Sequence, residues 1–157
     1  MMGRIWRLMW IGAVVMAFAS QGAVFAQGYG GSDYDKPAAG LVAAFKTAQE
    51  HATNAARAET MRDSLWHLGH VVNCMEGPRG THYDAGNANP CQGQGTGIIP
   101  DLNAMGGQMG ASSALDTVRK ADALALETLK LTDLAKVKAG AEKVAAMLTQ
   151  ASRAIGQ

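Results

Sequence analysis

Apolar positions along the chain recur at helical spacing and change phase once. Leu41, Phe45, Ala48, Ala52 and Ala55 lie three or four residues apart and make one buried stripe. Continued, that stripe would fall on Glu59 and Arg62; instead a second begins at Met61 and runs through Leu65, Leu68, Val72 and Met75. At about 100° per residue the two stripes point to nearly opposite sides. The stretch is therefore either broken between Ala56 and Thr60 or one long helix serving two partners, and a break is the preferred reading. Asp35-Lys36-Pro37 has the acidic cap and early proline of a helix start, and Gly77-Pro78 ends the second stripe.

From Arg79 to Gly110 the chain is rich in Gly, Asn and Pro, with only Ile98-Ile99 and Leu102 as apolar pegs, so it reads as a long loop. Ser112 or Ser113 then caps a helix carrying Leu115, Val118, Ala125, Leu126 and Leu129 on one side. Thr132-Asp133 starts a last helix with Leu134, Val137, Ala141, Val144, Leu148 and Ile155 in phase. Short connections between amphipathic helices make antiparallel neighbours. The expected fold is all-α: an up-and-down helical bundle of three long or four shorter helices over residues 36–157, with one long loop at 76–111. Strand patterning and tandem repeats are not evident.

The first 26 residues have another logic. Arg4 and Arg7 precede an apolar run from Leu8 to Ala19, and small residues lead to Val24-Phe25-Ala26. This is the pattern of a cleavable secretory signal peptide, with cleavage between Ala26 and Gln27. An uncleaved anchor is the competing reading, although the run is short of the about 20 residues that span a bilayer. Residues 27–35 form a Gly-bearing, flexible lead. The expected address is periplasmic or secreted, with no membrane span after cleavage.

Export changes the meaning of the cysteines. In an oxidising compartment Cys74 and Cys91 default to a disulfide, which would clamp the loop; a pair of thiolate metal ligands is the alternative. Closing a loop of about 17 residues stabilises by about 3 kcal/mol in the chain-entropy model. Aromatic residues are 6% of the chain, so each helix contact buries little area and such a clamp matters. Removing Arg4 and Arg7 from 14 basic residues leaves 12 against 13 acidic ones. A balance this near neutral provides no field to gather nucleic acid, which is excluded as an expected partner.

The candidate chemistry lies on the second helix. Asp63, His67, His70 and Cys74 share one side, opposite the apolar stripe. A disulfide at Cys74 would draw the loop across the histidines and offer His82, Tyr83 and Asp84 a path to the same place. Imidazoles with a carboxylate suit a transition-metal ion such as copper or zinc, or a small ligand. The plainer account is a solvated helix face whose histidines brace the loop, since His-x-x-His is less specific than the absent His-Glu-x-x-His.

Other features carry less. Met105 and Met109 could offer thioethers to copper, but gap-filling suits two methionines better. His51, beside Ala52, reads as a boundary residue, with a metal ligand as the lesser alternative. Gly93, Gly95 and Gly97 have neither the preceding strand nor the following Lys of a phosphate cradle, and no Cys-x-x-Cys-His supports covalent haem. A nucleophile elbow is absent, so an enzyme is not expected.

The segments His67-Leu68-Gly69-His70-Val71-Val72-Asn73-Cys74, Gly77-Pro78-Arg79-Gly80 and Asn89-Pro90-Cys91-Gln92-Gly93-Gln94-Gly95 resemble a pattern in a family of small exported proteobacterial helical proteins with no established activity. The resemblance covers about 30 residues and implies that the loop and its cysteines recur as a unit. The functional expectation is a non-enzymatic exported bundle that binds a transition metal or small ligand. The alternative is a structural or protein-interaction module of the periplasm without a ligand.

Overall fold

The break in apolar phase at Ala56–Thr60 is a helix boundary in the computed structural model, which describes residues 39–157. Helix α1 covers Ala39–Arg57 and α2 covers Met61–Glu76. Between them Thr60 is extended (φ −119°, ψ 151°) and its hydroxyl accepts the Asp63 amide at 3.1 Å. The same hydroxyl donates to Asp63 Oδ2 at 2.8 Å, a reciprocal cap made by residues three apart. Ser64 Oγ donates to the Ala55 carbonyl at 2.8 Å and satisfies the end of α1. Polar groups thus close the turn from both sides.

Helices α3 (Ile98–Met105), α4 (Ala111–Thr128) and α5 (Leu134–Ala154) complete an all-helical bundle, with a 3₁₀ turn at Ala85–Asn87 and no strand among the described residues. Helix α5 packs on both α1 and α4, α1 packs on α2, and the shorter α3 lies mainly against α4. Alanines at 44, 48, 52 and 55 of α1 and at 114, 121 and 125 of α4 are fully buried, which lets the helix axes approach closely. Phe45, Leu41, Leu68, Met75, Ile98, Leu102 and Leu148 supply the larger core side chains, each stabilising by about 1.5–3 kcal/mol on burial. No helix of the described residues is long and apolar enough to cross a membrane. The signal peptide, the lead and the Asp35–Pro37 helix start lie outside the described residues.

The segment 76–111 departs from the expected loop. Ile98 and Leu102 are buried and nucleate α3, with Pro100 in its first turn, where a missing amide donor costs nothing. The expected serine cap of α4 is also corrected: the helix begins at Ala111 behind Gly110, whose φ of 81° makes the turn, and no side chain caps it. Asp133 does cap α5, its carboxylate accepting the Lys136 amide at 3.0 Å.

The cysteines form the expected Cys74–Cys91 disulfide, with Cα atoms 5.3 Å apart. A second clamp stands beside it, with no counterpart in the apolar pattern. Buried Asn73 donates through Nδ2 to the carbonyls of Asp84 (2.7 Å) and Ala88 (2.5 Å), and its Oδ1 accepts the Asp84 amide at 2.9 Å. Asp84 itself accepts from Gly86 N and Asn87 Nδ2, both at 2.8 Å. These bonds lay the 3₁₀ turn on α2, where the Asn87 side chain lies against Gly69.

Candidate metal centre

Three imidazoles meet at the α1–α2 hairpin. His67 and His70 sit three apart on α2, as their spacing requires, and His51 reaches them from α1. His51 Nδ1 lies 3.0 Å from His67 Nδ1 and 3.1 Å from His70 Nδ1. His51 and His67 are half-buried, and His70 is only 3% exposed. Trp66 covers one side, its ring centroid 4.0 Å from that of His70 and 5.0 Å from that of His67.

This contact satisfies the nitrogens poorly without a cation. A neutral imidazole nitrogen holds either one proton or one lone pair, so His51 Nδ1 cannot make a full hydrogen bond to both neighbours. A metal ion accepts all three lone pairs at once. Nitrogens bound at about 2.0–2.1 Å with angles between 90° and 109° stand about 2.9–3.4 Å apart, which brackets both separations seen here.

Electrostatics keep the group ready for a cation. Burial lowers the pKa of His51 to about 4, with help from His70 and His67 and against the pull of Glu50. Burial, then His67, also lowers His70, while the Asn87 backbone opposes the shift. Because the folded chain resists a proton that the unfolded chain accepts below pH 6.5, His51 destabilises the metal-free fold as pH falls from 6.5 to about 4. Relative to His51→Gln, which does not titrate, the native chain should lose several degrees of melting temperature between pH 7 and pH 4, with all steps in chelator. A constant difference across that range would refute the assignment.

Two expected members of the site are elsewhere. Asp63 is engaged with Thr60 at the start of α2, because a carboxylate three residues after a threonine cap closes on it. His82 is held away from the imidazole trio by Glu76: Oε1 meets His82 Nδ1 at 2.6 Å and Oε2 accepts the His82 amide at 2.5 Å. The disulfide draws the loop across α2 as expected, but the residues it lays beside His70 are near Asn87, not His82. Met105 packs against the core and Met109 is 94% exposed.

Glu76 and His82 belong to a second group, with Asp122 of α4. Burial raises the Asp122 pKa to about 7, reinforced by the Glu76 charge and by hydrogen bonding to Glu76, and opposed by His82. Asp122 Oδ1 is buried with no partner.

His51 is legible in the sequence only in part. It stands as far before Glu59, the centre of the turn, as His67 stands after it, and residues equidistant from a hairpin turn face each other. Asp122 gives no signal, since an acidic residue in an amphipathic helix normally faces water. Comparison with protein-family models, curated proteins and solved structures finds no match to the chain.

Proposed function

We propose that this is an exported, non-enzymatic protein that binds one transition-metal ion through His51, His67 and His70. The observation that carries the reading is the convergence of three imidazoles on two packed helices, their ligand nitrogens within 4.8 Å of one another and His51 within 3.1 Å of both others. An all-nitrogen donor set suits copper and zinc, and the ordinary order of affinities puts Cu²⁺ ahead of Zn²⁺. Depressed basicity at His51 and His70 removes proton competition near neutral pH. His51 and His67 are half-buried, so the trio is not sealed from solvent. Export is supported by the charged and apolar start of the chain and by the disulfide.

Titration of the oxidised chain with Cu²⁺ and Zn²⁺, followed by calorimetry, tests this. The native chain should hold one tight equivalent that the histidine variants lose, with Cu²⁺ quenching a component of fluorescence that is absent from Trp66→Phe. His51→Ala, His67→Ala and His70→Ala should each weaken binding at least about tenfold, while Asp63→Ala should leave it unchanged. Equal binding by the native chain and the three histidine variants would overturn the reading. The imidazoles would then serve packing, and a module that docks a protein partner would take its place.

A further inference from the structure

We infer that Glu76, His82 and Asp122 form a second cation site, of different chemistry from the imidazole trio and independent of it. The three residues come from the end of α2, the following turn and the middle of α4, and their ligand atoms lie within 4.8 Å of one another. Glu76 is fixed on two sides, one oxygen on the His82 ring and the other on the His82 amide. Its side chain is 9% exposed, whereas that of His82 is 51% exposed, so the group is sheltered behind and open in front.

The pointer to a ligand is Asp122. It is 9% exposed, sits against the Glu76 carboxylate, and its Oδ1 has no hydrogen-bond partner. Asp122 and Glu76 share a hydrogen bond, but it leaves Asp122 Oδ1 without a donor, and a buried carboxyl oxygen so left is destabilising. No lysine or arginine pairs with either acid among the described residues. A divalent ion would satisfy the orphan oxygen and take the place of the proton that the two carboxyl groups share. The C-terminal end of α2, with its partial negative charge, adds to the attraction.

The donor set admits a probe ion that the trio does not. Two carboxylate oxygens and one imidazole accept a harder divalent ion such as Mn²⁺, which an all-imidazole site holds weakly. Mn²⁺ therefore separates the two sites. The full-length oxidised chain carrying His51→Ala, His67→Ala and His70→Ala should bind one Mn²⁺, read as loss of the free-ion EPR signal. Glu76→Gln and Asp122→Asn, added singly, should weaken that binding at least about tenfold. Asp122→Asn replaces the buried charge with a neutral isostere, so its fold is preserved and circular dichroism will show it. Failure of the triple-histidine chain to bind Mn²⁺, or binding that survives both substitutions, would overturn the proposal. Neither result bears on the Cu²⁺ titration of the native trio.

Discussion

The Cys74→Ser, Cys91→Ser double variant is expected to melt about 10 °C below the native chain, from the loss of about 3 kcal/mol. The native bridge joins residues separated by 17 positions, and both cysteines are buried, at 0% and 6% exposure. Without it the unfolded chain regains the freedom of that segment while the folded chain keeps its other contacts. In a bundle whose core is rich in alanine, a clamp of this size is a large share of the stability. Thermal melts followed by circular dichroism, with and without reductant, measure it. Reductant should lower the native melting temperature to that of the variant and leave the variant unchanged. A drop of less than about 2 °C would show that the bonds of Asn73 hold the segment unaided.

The second large effect is at the crossing of Gly77 and Gly97. Gly77 ends α2 with φ of 69°, and a Cβ there would stand 1.8 Å from the Thr96 carbonyl oxygen. Gly97 has φ of 125°, and its Cβ would meet the Glu76 carbonyl at 2.8 Å. The obstacle in each case is backbone, which cannot rotate aside. Gly77→Ala should therefore cost about 3 kcal/mol or more, combining the positive-φ penalty with the clash. Gly106→Ala is the control: φ is 56° but nothing lies within 4 Å, so only the conformational penalty of about 1 kcal/mol applies. Chemical denaturation of the three proteins checks the ranking. Equal losses at Gly77 and Gly106 would show that the crossing relaxes. Because both glycines serve one contact, Gly77→Ala and Gly97→Ala together should cost less than the two losses added.

The bundle is legible in the sequence because its helices carry regular apolar stripes, and the phase jump between Ala55 and Met61 favours a break there over one long helix, which is where Thr60 makes the turn. Helix α3 is not legible. It buries only Ile98 and Leu102 fully, with Ile99 and Met105 beside the core, and eight residues around a proline are too few to establish a period. The candidate site is suggested by one helix and built from two. Spacing along α2 correctly pairs His67 with His70, but the nearest polar neighbours in sequence, Asp63 and His82, are engaged in a helix cap and by Glu76. His51 and Asp122 enter through packing between helices, which local periodicity does not encode. Asn73 is the same kind of case: a polar residue buried for its bonds to the backbone of residues 84–88, where the pattern alone suggests a solvated face.

The trio's ligands come from a single helical hairpin, with sequence separations of only 16 and 19 between bonded rings. Closing so short a span costs little entropy, and local pairs of this kind assemble ahead of distant ones during folding. The imidazoles can thus gather while α4 and α5 are still unformed, whereas the Glu76–Asp122 pairing must wait for α4 to dock. An ion arriving at a nascent chain would meet the nitrogen set first.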